Sequence, residues 1–282
     1  MLGELPEHAV REIVARALAE DVGTGDATTA ATVGEGSRCL GAVSAREEGV
    51  IAGLGVARVT FQMLDPEVSF ESVVSEGARA APGDVVARVS GGTRAILTGE
   101  RTALNFLQRM SGIATLTARY VAAVEGTAAR IIDTRKTAPG LRVLDKYAVR
   151  AGGGSNHRMG LFDGVLIKDN HLHAAGGVAE AVERARAFAH HLAKVEVEAK
   201  SLAQVEDAVA AGADVVLLDN MSAEQVAEAV KVAGGRCWME ASGSVTLDNV
   251  RALAECGVDF ISVGALTHSA PALDLSLEID GG

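Results

Sequence analysis

The sequence predicts an α/β protein in two parts, a small β-rich domain followed by an α/β barrel. Three observations predict it. After Arg130, short apolar runs alternate with stretches of helical periodicity. Those runs end, one after another, in polar or charged residues. Glu198, Asp219 and Glu240, each near the end of such a run, fall 21 residues apart, as the near-equal units of a barrel would.

The elements follow in order. Val10, Ile13, Val14, Ala17 and Leu18 recur at helical spacing within Pro6 to Glu20, which predicts an amphipathic helix. Asp21 to Thr29, DVGTGDATT, is glycine and small polar residues and reads as a loop. From Ser37 to Arg94, short apolar runs are separated by turn signals such as Ala81-Pro82-Gly83-Asp84, with Val85 to Val89 as a strand and a helix over Leu54 to Leu64. Helical periodicity returns over Glu100 to Val124, where Ser111-Gly112 is a place for a break or kink. The later strand candidates are Ile131-Ile132, Val165 to Ile167, Val195 to Val197, Val215 to Leu218, Trp238-Met239 and Phe260 to Val263. Continuous apolar runs of this kind suit buried parallel strands. Ser201-x-x-Gln204 and Ser222-x-x-Gln225 have capping-box form before two of the intervening helices.

Composition narrows the function. The chain has 282 residues, 48% hydrophobic and 22% charged, with a formal net charge of −11, enough for one large domain or two unequal ones. Broad acidity and few aromatics argue against nucleic acid as a partner. Cys39, Cys237 and Cys256 lack metal-ligand spacing and are odd in number, which indicates neither a zinc site nor a disulfide framework and fits a reducing cytoplasm. No targeting segment and no membrane span is expected.

Charge is unevenly placed. Of 26 basic and 37 acidic side chains, seven and four lie between Asp133 and His171, leaving 19 and 33 elsewhere. This cationic island holds Arg135, Lys136, Arg142, Lys146, Arg150, Arg158 and Lys168, with His157 and His171 beside them, and is interrupted by a triple glycine. Such a concentration suits a pocket for a ligand with several negative charges. Arg142, Lys146 and Arg150 fit a solvated helix face equally well.

The strand ends carry the chemistry. In a barrel, Asp133, Lys168, Glu198, Asp219, Glu240 with Ser242, and Gly264 would project at the carboxyl-end mouth, where active sites are built. One polar residue at a strand end is more often a helix cap, but six successive strands ending so favour a site. Carboxylates facing Arg and Lys would suit an anionic substrate whose reacting centre becomes positive, or a magnesium-bound phosphate.

At this point whole blocks resemble one family. EDVGTGDATT (Glu20 to Thr29), AREEGVIAG (Ala45 to Gly53), ERTALNFLQRMSGIAT (Glu100 to Thr115), DTRKTAPG (Asp133 to Gly140) and GGGSNHR (Gly152 to Arg158) are followed by IKDNH (Ile167 to His171), VEVE (Val195 to Glu198), LLDN (Leu217 to Asn220), ASG (Ala241 to Gly243) and VGALTHS (Val263 to Ser269). Together, and in this order, they resemble the quinolinate phosphoribosyltransferases, also called nicotinate-nucleotide pyrophosphorylases (carboxylating). The resemblance implies the type II phosphoribosyltransferase fold: an N-terminal α/β sandwich over 1–112, joined by 271–282, and an open α/β barrel over 113–270. It implies transfer of the phosphoribosyl group of 5-phosphoribosyl 1-diphosphate to quinolinate with decarboxylation, using Mg²⁺, in NAD biosynthesis. The positions carried over for quinolinate are Arg101, Arg135, His157 and Arg158, with Lys136 and Lys168 adding charge. Glu198 and Asp219 match carboxylates that face the ribose and its magnesium, and Ser242, Gly243 and Gly264 match loops at the 5-phosphate. Lys136, Lys168, Glu198 and Asp219 are the catalytic candidates. The family's dimer implies a homodimer with Arg101 in the neighbouring site, and assembly to a hexamer is a further expectation. His171 and His268 are expected to be structural.

The chain departs from the family pattern at Ser244, where many relatives have a second glycine, and at Ala199-Lys200. Competing readings are a molybdenum-associated paralogue, which retention of Arg101 with His157-Arg158 disfavours, a Schiff-base aldolase using Lys136 or Lys168, and a catalytically silent anion-binding module, which leaves Glu198 and Asp219 without a purpose.

Overall fold

The computed structural model describes residue 3 and residues 5–280. Residues 1, 2, 4, 281 and 282 of the expected ranges 1–112 and 271–282 lie outside the described residues. The chain forms two compact units, 1–118 with 137–153 and 266–282, and 119–136 with 154–265. Residues 137–153, which the sequence reading assigns to the barrel, cluster with the first unit.

The first unit begins with α1 (Glu7–Val22) and α2 (Ala27–Thr32), followed by β1 (Arg38–Ala45), β2 (Gly49–Val50), α3 (Leu54–Leu64), β3 (Ser69–Ser72), β4 (Arg79–Ala80), β5 (Val85–Gly92) and α4 (Thr93–Ala123). The expected loop over Asp21 to Thr29 is cut short by α2, because Asp26 caps it: its Oδ1 accepts from Thr29 N at 2.9 Å. Strand β12 (Leu275–Ile279), from the end of the chain, pairs antiparallel with β1, giving a four-stranded sheet in the order β12-β1-β5-β3. Val43 and Ala45 of β1 and Val86, Ala87 and Val89 of β5 pack with Leu54, Ala57 and Phe61 of α3 and Ile96, Ala103, Leu104 and Leu107 of α4. Sheet alternation and the helical i, i+3, i+4 spacing thus converge on one core. Phe61 is 1% exposed and stacks on Phe70 with centroids 6.1 Å apart; Phe61→Ala should cost about 3–5 kcal/mol.

Ser111-Gly112 does not break α4, which runs through both. A Cβ at Gly112 would lie 1.9 Å from Pro271 O, so this glycine serves the close approach of the returning chain rather than a kink. Ser111 Oγ, fully buried, accepts from Ala52 N at 3.0 Å and donates to Ala52 O at 3.2 Å. Helix α5 (Arg142–Ala151) also belongs to the first unit. Its Asp145 is wholly buried and takes a two-pronged bond from Arg109, 2.9 Å from Nε and 2.8 Å from Nη2.

The second unit is a parallel sheet interleaved with helices: β6 (Arg130–Ile132), β7 (Val165–Ile167), α6 (Asp169–Ala175), α7 (Val178–Phe188), β8 (Val195–Ala199), α8 (Leu202–Ala210), β9 (Val215–Asp219), α9 (Ala223–Ala233), β10 (Trp238–Ser242), α10 (Val250–Glu255) and β11 (Phe260–Ser262), with α11 (Ala265–His268) after it. The six strands lie in the order β6-β11-β10-β9-β8-β7. This is barrel order with β6 and β7 left as edges, hence open and short of eight strands. Ser222 and Gln225 form the expected capping box. Gln204 departs from it: its Oε1 accepts from Lys200 N, not from Ser201 N.

Candidate active site

All residues lining a cavity of about 510 Å³ belong to the second unit. Arg135 and Lys136 follow β6. His157 and Arg158 follow Ser155, whose N–H donates to Ile131 O on β6 at 2.9 Å. Lys168 follows β7, while Glu198 lies in β8, Asp219 ends β9 and Ser242 ends β10. Cations therefore enter from the two edges of the open sheet and carboxylates from its interior strands. Parallel register keeps these ends level: Asp219 pairs with Ser242, and Ser242 with Ser262.

Lys168 Nζ reaches Glu198 Oε2 at 2.8 Å. The lysine side chain is half exposed and the glutamate's only 11%, so the pair joins the cavity rim to its wall. Burial pulls the Arg158 guanidinium pKa down, Arg135 beside it adds to that, and Glu196 and Asp163 oppose it. A protein that keeps two like charges together in a half-buried site has arranged them for an anion. Beneath them, Asp133 is wholly buried, its Oδ2 accepting from Asn156 Nδ2 at 2.6 Å and its Oδ1 from His157 N at 2.9 Å. Burial first, and the neighbouring Glu196 second, push the Glu240 carboxyl well above the usual carboxylate range.

At the other end, Asn220 and Ser244 both take positive φ, 55° and 51°. Gly243, at φ 90°, leaves a space that Asn220 fills, since a Cβ there would lie 2.4 Å from Asn220 Oδ1. Ser244 Oγ donates to Asn220 Oδ1 at 3.1 Å, and Asn220 Nδ2 donates to Asp219 Oδ1 at 2.9 Å.

Nine of the predicted residues thus share one cavity: Arg135, Lys136, His157, Arg158, Lys168, Glu198, Asp219, Ser242 and Gly243. Arg101 and Gly264 are not among its lining residues; Arg101 is exposed on α4 in the first unit. The cationic island divides. Lys146 is wholly buried in α5, not on a solvated face, while Arg142 bonds Thr137 Oγ1 at 2.9 Å and Arg150 bonds Gly3 O at 3.0 Å. His171 Nδ1 accepts from Lys168 N at 2.9 Å, capping α6, and His268 Nδ1 meets Ser269 Oγ at 2.6 Å.

Residues 26–111 match the model of the quinolinate phosphoribosyl transferase N-terminal domain and 113–278 that of its C-terminal domain. The chain belongs to the quinolinate phosphoribosyltransferase family. It is 44% identical over 260 residues to a probable nicotinate-nucleotide pyrophosphorylase [carboxylating] of Bacillus subtilis (strain 168), covering 92% of this chain and 90% of that protein. It is 44% identical over 285 residues to the Mycobacterium leprae (strain TN) protein named nicotinate-nucleotide pyrophosphorylase [carboxylating], covering 99% and 100%. The solved nicotinate-nucleotide pyrophosphorylase from Francisella tularensis superposes with a TM-score of 0.95 at 41% identity, over 99% of each chain.

Membership in this family turns attention to residues that the motif reading left without a role. Asn220, Ser244 and Ser262 line the cavity. Glu240, which the strand-end reading placed at the mouth, lines it as well although only 2% exposed, and Glu196 is 7% exposed. The one available signal was the acidic residues inside otherwise apolar strands, VEVE and WMEAS.

Proposed function

We propose that the protein transfers the phosphoribosyl group of 5-phosphoribosyl 1-diphosphate to the ring nitrogen of quinolinate and releases diphosphate and carbon dioxide, forming nicotinate mononucleotide. The observation that carries this reading is the single cavity in which Arg135, Lys136, Arg158 and Lys168 meet Glu198 and Asp219. Quinolinate carries two adjacent carboxylates, and planar guanidinium forks at Arg135 and Arg158 match them. The ring nitrogen has a lone pair and no proton to lose, so the first step needs no general base. As the bond from C1 to diphosphate breaks and the bond from nitrogen to C1 forms, positive charge grows at the ribose. Glu198 and Asp219 stabilise it electrostatically. The bond from ring C2 to its carboxylate then breaks, its electron pair drawn toward the quaternised nitrogen, and a proton takes the place of carbon dioxide. Lys136 and Lys168 are the ammonium groups on this cavity that can hold that proton.

Glu198 and Asp219 also fit Mg²⁺. They are hard oxygen donors on neighbouring strands, and this ion is usually held by one or two carboxylates together with substrate phosphates. When bound it would neutralise diphosphate charge; retained turnover after exhaustive chelation would remove it from the scheme. Ser242, Gly243 and the Asn220-Ser244 turn provide a small polar end for the 5-phosphate.

We also propose a homodimer, which may be tested apart from any higher assembly such as a hexamer. Arg101 is exposed on α4 and is not among the lining residues of its own chain's cavity, which supports its delivery to a neighbouring site. Mixing inactive Arg101→Ala and Glu198→Gln proteins should then restore part of the activity, and no recovery on mixing would count against sharing. No helix among the described residues is long and apolar enough to cross a membrane, and the three free thiols support a cytoplasmic setting.

The deciding assay offers quinolinate or nicotinate in parallel with 5-phosphoribosyl 1-diphosphate and magnesium. Mononucleotide and matching carbon dioxide from quinolinate alone is the expected result. Turnover of nicotinate, or of neither acid, would overturn the proposal.

A further inference from the structure

The block from Glu20 to Thr29 fits the family pattern, yet no step of the proposed reaction uses it. In the first unit it forms most of a strap. Residues 21–33 run back along one stripe of α4 and are tied to it at three successive turns. Arg94 donates from Nε and Nη2 to Val33 O at 2.9 and 2.8 Å. Thr98 Oγ1 donates to Asp26 Oδ2 at 3.0 Å, and Thr102 Oγ1 donates to Asp21 Oδ2 at 3.3 Å. Arg94, Thr98 and Thr102 follow one another at intervals of four residues, so they lie one above another on the helix. Their partners come in the reverse order, Val33, Asp26 and Asp21, and the strap is therefore antiparallel to α4.

Asp26 does more than cap α2. A serine would satisfy Thr29 N equally well, but the second carboxylate oxygen also takes Thr29 Oγ1 at 2.5 Å and Thr98 Oγ1. On another side, α4 presses against α3: a Cβ at Gly99 would lie 2.9 Å from Leu64 Cδ1 and 3.1 Å from Phe61 Cδ1. From Thr93 to Asn105, only Arg101 and Asn105 are exposed. The strap and α3 together limit how far this part of α4 can roll about its own axis, and so fix the direction in which Arg101 leaves it. Side chains end about 5–6 Å from a helix axis, so a roll of roughly 10° moves a tip by about 1 Å.

We propose that Asp21 and Asp26 are positioning residues for quinolinate: by holding Thr102 and Thr98 they fix the roll of α4 and aim Arg101 into the cavity of a neighbouring copy. The assignment rests on the shared-site reading given above. Neither aspartate touches substrate. Both act through the helix, where a misplacement of about 1 Å can cost up to a hundredfold.

The test separates aiming from folding by using mixed dimers of the full-length chain, co-expressed with two tags and purified through both. One chain carries Arg101→Ala and the other Glu198→Gln, so the one complete site joins Glu198 of the first to Arg101 of the second. Thr98→Val, which removes the donor and keeps the branched shape, is then placed on either chain. On the chain that supplies Arg101 it should raise KM for quinolinate roughly tenfold and leave KM for 5-phosphoribosyl diphosphate within about twofold. On the chain that lacks Arg101 it should change neither. The two arrangements contain the same substitutions and should melt at the same temperature. Asp26→Ser still caps α2 but is too short to reach Thr98, so it should repeat the pattern; Thr98→Ser keeps the hydroxyl and should match the unmodified mixed dimer. Equal effects on the two chains, or no effect on either, would overturn the proposal, because the strap would then only support the fold. A mixed dimer that shows no activity even with Thr98 and Asp26 intact would overturn the shared site, and this assignment with it.

Discussion

Ser244 offers a sharp test of how the phosphate end of the cavity is tied to its catalytic end. Its hydroxyl donates to Asn220 Oδ1 at 3.1 Å, and Asn220 in turn donates to Asp219 Oδ1 at 2.9 Å. One neutral hydrogen bond contributes about 0.5–1.5 kcal/mol. If the relay aims Asp219, removing the hydroxyl should lower kcat/KM for 5-phosphoribosyl diphosphate by about 2- to 13-fold. Ser244→Ala and Ser244→Gly both remove it, but they differ in backbone strain. Ser244 sits at φ 51°, where an L-residue costs roughly 1–2 kcal/mol. Glycine avoids that cost and gives back about 0.5–1 kcal/mol in unfolded-state entropy. Ser244→Gly should therefore unfold about 1–4 °C above Ser244→Ala while being equally impaired. Steady-state kinetics and calorimetry on the two variants suffice. Wild-type kcat/KM in Ser244→Ala would refute the relay, and equal melting temperatures would refute the strain argument.

Three further outcomes are expected. Arg135→Ala should weaken quinolinate binding by more than ~1.5 kcal/mol, the low end for a charged hydrogen bond, with 5-phosphoribosyl diphosphate binding largely kept; titration calorimetry showing equal loss of both would contradict that division. Arg109→Met takes the two-pronged bond from the wholly buried Asp145, which keeps the Ala138 N–H at 3.1 Å, and should cost about 3–5 kcal/mol in urea unfolding, part of which Arg109→Met with Asp145→Leu should restore. Burial first, then Glu196, raises the folded pKa of Glu240 above its unfolded value; its contribution to stability is full below the ordinary carboxylate pKa of about 4.3 and is lost as pH rises through the raised folded value. Melting temperature should thus fall with rising pH, and Glu240→Gln should flatten that fall; an unchanged slope would mean that Glu240 is ionised in the folded protein.

Much of the second unit was legible because its signals are local. Six apolar runs became six strands, and Ser222 with Gln225 capped a helix as its spacing required. The first unit gave less away. Asp26 begins a helix inside an expected loop, since a cap followed by six residues without apolar periodicity resembles a turn. Ser111-Gly112 looks like a breaker until the chain near Pro271, more than 150 residues later, is seen to pass against it. The basic residues between Asp133 and His171 form one block in the chain but two groups in space, and no local signal separates Arg135 from Lys146.

The sequence by itself determined the family, the parallel strands and nine residues of the cavity, because ordered motif blocks and strand-end chemistry can be read along the chain. Tertiary structure alone decided that Glu196 and Glu240 come within 4 Å of His157 Nε2, that Ser244 reaches Asp219 through Asn220, and that residues 137–153 join the first unit. Each of these depends on which strands are neighbours and how their registers align, and hydrogen bonds a few ångströms long select among side chains that lie tens of residues apart.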